Sequence, residues 1–258
     1  MIISRKKFLK IAGVSALAVT GERLARNFAG AMQSEEQKTA GALTTKRLAM
    51  VIDLKKCAQE EGCTQCIDAC HRIHNVPVID DRNHEISWIW KDEFKHAFHS
   101  AHNEYTAKHI EHLPVLLLCN HCGNPPCVRV CPTKATWKRE ADGIVVMDWH
   151  RCIGCRYCMA ACPYGSRSFN WTDPRPNIKE VNVDFPTRTK GVVEKCNFCD
   201  ERLAKGKLPA CVESCPQNAL FFGDVDDAGS EIRQVLASEF AIRRKPELGT
   251  NPEVFYIV

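Results

Sequence analysis

Residues 152–163 read CIGCRYCMAACP: Cys152, Cys155 and Cys158 stand three apart, Cys162 follows four residues later, and Pro163 closes the run. The chain repeats the device. Cys119, Cys122, Cys127 and Cys131 lie in CNHCGNPPCVRVCP, and Cys196, Cys199, Cys211 and Cys215 in CNFCDERLAKGKLPACVESCP. A looser first group, CAQEEGCTQCIDACH from Cys57 to His71, holds Cys57, Cys63, Cys66 and Cys70. These four groups account for all sixteen cysteines of the 258-residue chain. A multiple of four suits tetrathiolate metal sites and an even number suits disulfides, so spacing has to decide.

C-x2-C-x2-C-x3-C-P is the ligand run of bacterial [4Fe–4S] ferredoxins, in which the fourth cysteine serves a different cluster from the first three. Such runs come in pairs, and four runs make two pairs. β-prone stretches lead in at Leu48–Leu54, Val115–Leu118, Ile144–Met147 and Val192–Val193, and others follow at Ala135–Lys138, Ser168–Trp171 and Ala219–Phe222. Asp142-Gly143 predicts a turn between two of them. The repeat of strand, cysteine loop, short helix and strand predicts an α+β ferredoxin-like fold.

Three other chemistries compete. Structural zinc prefers two C-x2-C pairs across a long spacer, which only the fourth group resembles, and that group also ends in Cys-Pro. Disulfides account for neither the density of C-x2-C pairs nor the Cys-Pro endings. Covalent haem needs C-x-x-C-H, and Cys66-x3-Cys70-His71 is one residue too long.

The net charge of +4 is concentrated at the start of the chain. Residues 1–31 carry six basic side chains against Glu22, which leaves residues 32–258 near −1 and without the basic face a nucleic-acid partner requires. The opening MIISRKKFLKIAGVSALAVT has a basic segment, a short apolar stretch Ile11–Val19, and then Ala29-Gly30-Ala31 as a cleavage-like site. Residues 1–31 are thus expected to be a signal peptide; the competing reading is an amphipathic helix of the mature fold. Ser4-Arg5-Lys6-Lys7-Phe8-Leu9-Lys10 resembles the twin-arginine export motif, with Lys6 in place of the second arginine. No other segment approaches the ~20 apolar residues of a membrane span, so membrane contact is expected through a partner or an uncleaved signal.

Residues 71–118 hold eight of the ten histidines. His96, His99 and His102 recur every third residue, which predicts one helical face, read here as a solvated surface rather than a metal, haem or docking site. After Ser230, SEIRQVLASEF predicts a capped helix with Ile232, Val235 and Leu236 on one face, and an extended tail that packs on the core. No nucleophile–base pair, phosphate loop or paired-carboxylate motif stands out.

CIGCRYCMAACPYGSRSFNW and KCNFCDERLAKGKLPACVESCP, with His74-Asn75-Val76-Pro77 and LGTNPEVFY at 248–256, resemble the four-cluster ferredoxin-like subunits of the DMSO-reductase type from about Arg47 onward. Within that family, LAMVIDLKKC, CIDACHRIHNVP and CNHCGNPPCVRVCPTKATWKR resemble the DsrO-type subunits of the membrane complex that serves dissimilatory sulfite reduction. The resemblance implies four [4Fe–4S] clusters with ligands exchanged between the first and fourth runs and between the second and third. One would take Cys57, Cys63, Cys66 and Cys215, and its pair-mate Cys196, Cys199, Cys211 and Cys70. Another would take Cys119, Cys122, Cys127 and Cys162, and the last Cys152, Cys155, Cys158 and Cys131.

The expected architecture is therefore two nested bacterial-ferredoxin-like 2[4Fe–4S] modules with loop and helical insertions. Residues 32–113 plus 190–258, including a His-rich insertion at 71–113, form one, and residues 114–189 form the other, inserted module. The implied role is a non-catalytic electron-transfer subunit at the extracytoplasmic (periplasmic) face of the membrane. Its implied partners are an integral membrane quinone-interacting subunit and a multihaem cytochrome c, or a molybdopterin subunit in the broader family. A ferredoxin subunit of a polysulfide, tetrathionate or nitrite reductase remains the alternative, and a zinc scaffold the second.

Overall fold

The computed structural model describes residues 46–258; the expected signal peptide at 1–31 lies outside them. Strand β1 (Leu48–Asp53) reads LAMVID, and its four central residues are wholly buried. A strand covered on both faces carries a continuous apolar run rather than an alternating one. Met50 and Ile52 enter the main core with the cysteine loops, while Ala49 and Val51 face a smaller cluster with Val225, Ile232 and Ile257. β1 pairs antiparallel with β8 (Leu220–Asp224) and parallel with β10 (Val254–Ile257), which in turn pairs with β9 (Ala241–Ile242). The strand order is β8-β1-β10-β9.

Helix Glu231–Ser238 covers the smaller cluster. The Ser230 hydroxyl caps it by accepting from the Arg233 backbone N–H at 3.3 Å, as the sequence predicts. The tail beyond it packs on the core through Val254 and Tyr256, both fully buried.

Three further two-stranded ribbons connect the cysteine runs. β2 (Ile89–Glu93) pairs with β3 (Pro114–Leu118), β4 (Thr136–Lys138) with β5 (Val145–Met147), and β6 (Ser168–Phe169) with β7 (Val193–Glu194). β4–β5 turns at Asp142-Gly143, where Gly143 has φ +76° and Arg139 N–H donates to Ile144 C=O at 2.8 Å. This hairpin ties the exit of the second run to the entry of the third, and β1–β8 ties the entry of the first to the exit of the fourth. β6–β7 spans residue 190, so strand pairing crosses the expected module boundary there. Among the described residues, no helix is long and apolar enough to cross a membrane.

The histidine face expected over 96–102 does not form. The helix that starts it stops at Phe94–Ala97, and the next helix is Lys108–Glu111. Phe94, Ala97 and Phe98 are buried, with Phe98 stacked on Phe94 and edge-on to Tyr256. Beyond them the Asn103 side-chain oxygen accepts from Tyr105 N–H and the Asn103 backbone N–H donates to Thr106 Oγ1, local bonds that compete with helix. Of the expected face, His96 pairs with Asp92 at 2.9 Å and His102 with Glu111 at 3.0 Å; nearby, His112 pairs with Glu93 at 2.7 Å.

Candidate iron–sulfur sites

The C-x-x-C loops curl because single residues take the left-handed conformation: His121, Gly154, Phe198 and Cys199 all have positive φ. Successive N–H groups then turn inward and form an anion-binding concavity. At Gly154, with φ +69°, a Cβ would stand 2.4 Å from Gly191 O, so only glycine fits. Each of the last three loops runs into a helix of four or five residues, Pro126–Arg129, Tyr157–Ala161 and Ala210–Glu213, which ends before Cys-Pro. The first run has His71 where those have proline, and its helix, Gln65–Ile73, continues past Cys70.

The structure brings the cysteines together in four sets. Cys57, Cys63 and Cys66 line a cavity of about 20 Å³ with Cys215, Leu116, Leu220 and Lys91. Cys119, Cys122 and Cys127 line another of about 20 Å³ with Cys162, Asn120, Tyr164 and Arg167. Cys152, Cys155 and Cys158 line a third, of about 10 Å³, with Cys131, Met147 and Arg156. Cys70 meets Cys196, Cys199 and Cys211 where helix Gln65–Ile73 packs on helix Ala210–Glu213. Every set thus joins three cysteines of one run to one of another, first with fourth and second with third.

Burial pushes eight of these thiols up. Cys66 and Cys122 reach about 12, and Cys196 and Cys211 lie well above the ordinary range through burial reinforced by neighbouring cysteines. Cys131 is the exception. Burial opposes its thiolate, but N–H groups of Thr136, Ala135 and Thr133 and the Thr133 hydroxyl lower it below the usual value. Several sulfurs already accept backbone N–H bonds: Cys199 from Ala210 at 3.3 Å, Cys215 from Ala219 at 3.3 Å and Cys196 from Phe198 at 3.4 Å.

These linings, four cysteines to a site, fit an anionic thiolate-held group. Each of the three cavities is lined by one basic side chain, Lys91, Arg167 or Arg156, and by no histidine or carboxylate. Asn120, at the second cavity, keeps its side-chain amide buried without a partner, as does His121 Nε2 in the same loop. Iron–sulfur clusters supply sulfur acceptors for such donors.

The other side chains around the sulfurs had no signal in residue spacing. His74 places Nδ1 2.9 Å from Cys70 O and 3.5 Å from Cys70 Sγ, and Nε2 2.9 Å from Glu201. Behind it, Arg188 and Glu194 form a wholly buried ion pair at 2.6 Å, to which Trp88 Nε1–H also donates at 2.9 Å. The HNVP stretch at 74–77 marks one end of this network; its partners lie more than a hundred residues away.

Comparison with known proteins agrees with the chemistry of these sites. The 4Fe-4S dicluster domain pattern matches residues 111–177 and 181–225. The chain is 40% identical to the Hdr-like menaquinol oxidoreductase iron-sulfur subunit 1 of Archaeoglobus fulgidus, over 99% of this chain and 98% of that protein. It is 36% identical to the menaquinone reductase iron-sulfur cluster-binding subunit of Nitratidesulfovibrio vulgaris, over 81% of this chain and 87% of that protein. The arsenate respiratory reductase iron-sulfur subunit ArrB of a Shewanella species is 37% identical, over 82% of this chain and 96% of that protein.

Proposed function

This chain belongs to the 4Fe-4S ferredoxin-type iron–sulfur subunits of the menaquinol and molybdopterin oxidoreductase family, and from that premise we propose that it holds four [4Fe–4S] clusters and conducts single electrons between two partner subunits. The observation that carries this is the convergence of sixteen cysteines into four sets of four. The ligands are Cys57, Cys63, Cys66 and Cys215 for cluster I, and Cys70, Cys196, Cys199 and Cys211 for cluster II. Cys119, Cys122, Cys127 and Cys162 hold cluster III; Cys131, Cys152, Cys155 and Cys158 hold cluster IV. When bound, such clusters supply reversible one-electron storage.

The chain orders its sites. Cys66 and Cys70, one turn apart on a single helix, connect I to II. Cys119 is near enough to act on Cys196, connecting II to III. Cys127 with Cys131, and Cys158 with Cys162, connect III to IV. All four ligands of II are buried, whereas Cys57, Cys63 and Cys215 of I and Cys131, Cys152 and Cys155 of IV are part-exposed. Electrons therefore enter and leave at sites I and IV.

One partner is a quinone-interacting membrane subunit, a reading supported by the menaquinol and menaquinone relatives. The other is a multihaem cytochrome c, in a DsrO-like role linked to sulfite reduction, at the extracytoplasmic face after twin-arginine-type export. Anaerobic purification of the intact complex tests all of this. The expected result is about sixteen iron and as much labile sulfide per chain, copurifying with a haem subunit and a membrane subunit. A molybdopterin partner would sink the sulfite assignment, and zinc without iron the electron-transfer reading.

A further inference from the structure

Arg167 is a buried cation without a carboxylate. It follows the third run, in CPYGSR, and is 4% exposed. Nη2 donates to Cys127 Sγ at 3.1 Å and to Thr136 Oγ1 at 3.0 Å, and Nη1 points to Met147 Sδ at 3.5 Å; none of these bonds reaches a carboxylate among the described residues. A buried charge left unpaired is costly, so its countercharge has to come from what surrounds it. The charges that act on it are those of Cys127, Cys158 and Cys119. Burial opposes the guanidinium, yet these thiolates raise it above its ordinary range. Thr136 and Met147, its other two partners, line the third cavity together with Cys158.

Cys127 and Cys119 belong to site III, and Cys158 to site IV. Resting on the cluster assignment above, we propose that Arg167 is a shared potential-setting residue: one guanidinium stabilises the reduced forms of clusters III and IV together and leaves I and II unaffected. Each cluster gains one negative charge when it accepts one electron, and a fixed cation beside it favours that state. Because the same charge bonds a ligand of one cluster and two side chains in the wall of the other site, their potentials are raised as a pair. The half of the route formed by the second and third runs is thereby set apart in energy from the half that joins the two ends of the chain.

The test is a potentiometric titration, with dithionite as electron donor, of the anaerobically purified full chain and its Arg167→Gln variant, read by electron paramagnetic resonance. Two of the four midpoint potentials should fall together, each by at least a tenfold change in the reduction equilibrium, ~59 mV for a one-electron couple. The other two should stay. Four unmoved potentials, a single moved one, or four equal shifts would overturn the proposal. If Arg167→Gln holds fewer than four clusters, Met147→Glu decides by the same criterion, because it keeps the arginine and sets a carboxylate beside Nη1. Loss of clusters in both variants would assign Arg167 to assembly and overturn the tuning role. A parent chain without iron would defeat the cluster assignment itself; a parent with four clusters and unshifted variants defeats only this inference.

Discussion

His121 lies face to face with Phe198, with ring centroids 3.7 Å apart and planes 19° from parallel. The two residues come from the middle of the second and fourth runs, so their stack is the direct contact between site III and site II. His121 is wholly buried and its Nδ1 accepts the Val145 N–H at 3.2 Å. Burial first, then Lys195 and Arg167, hold it well below its ordinary value, so the ring is neutral. Replacing Phe198 by alanine should cost about 3–5 kcal/mol of stability. Either Phe198→Ala or His121→Ala should slow electron equilibration between the two halves of the chain. Stopped-flow reduction, followed at several wavelengths, would show the slower phase; unchanged kinetics with a full iron content would exclude this stack from the route.

The ligand sets make a prediction that crosses the order of the sequence. Cys70→Ser and Cys211→Ser should abolish the same paramagnetic signal, although 141 positions separate them. Cys66→Ser, only four residues from Cys70, should remove a different one. Iron should fall from about sixteen to about twelve per chain in each variant. A shared signal for Cys66 and Cys70 would show that the first run serves one cluster by itself.

The Arg188–Glu194 pair is wholly buried and has few substitutes. Trp88 and Asn170 donate to the carboxylate, and Arg188 donates to the carbonyls of His74 and Asn75. Removing one partner leaves the other charge stranded, so Glu194→Gln or Arg188→Met should destabilise the chain by about 3–5 kcal/mol. The double variant should cost clearly less than the two single ones combined. Urea midpoints across this double-mutant cycle measure the coupling, and additive costs would refute it.

Acid should expose the histidine-rich insertion. Hydrogen bonds from Lys95 and His112 hold the Glu93 carboxyl down at about 2, from an ordinary 4.5. A carboxyl depressed in the folded state contributes stability that is fully present above its unfolded value and is lost as pH falls toward its folded one. Glu93→Gln should therefore be less stable than the parent at pH 7, by a small margin because the pair is exposed. The difference should close between about pH 4.5 and 2. Urea midpoints at pH 7 and pH 3 would check it; a gap that widens in acid contradicts the sign.

What could be read from the residues alone was local. The cysteine runs, the strands beside them, the Asp142-Gly143 turn and the Ser230 cap depend on neighbours a few positions apart, and all appear in the structure. The histidine face was misread because a three-residue period carries no record of the buried Phe94 and Phe98 that stop the helix, or of Asn103, which turns the chain. The parallel pairing of β1 with β10 had no local mark, since it joins Met50 to Val254. Arg167, Arg188 and Glu194 look in sequence like ordinary surface charges. Only the fold shows that they are buried, and hence that they must be paired with something.

The pairing of β1 with β8 and β10 also dictates a schedule of synthesis. Cys119 to Cys162 span a short stretch, and both of the sites they form can close as soon as it has left the ribosome. Cys57, Cys63, Cys66 and Cys70 wait for partners at 211 and 215, and the central strand of their sheet waits for residues beyond 250. A chain interrupted before Cys196 would carry two complete sites and four cysteines of a third and fourth without mates. A full set of ligands thus requires translation past Cys215, and a newly made chain that binds all its iron has at least completed the fourth run.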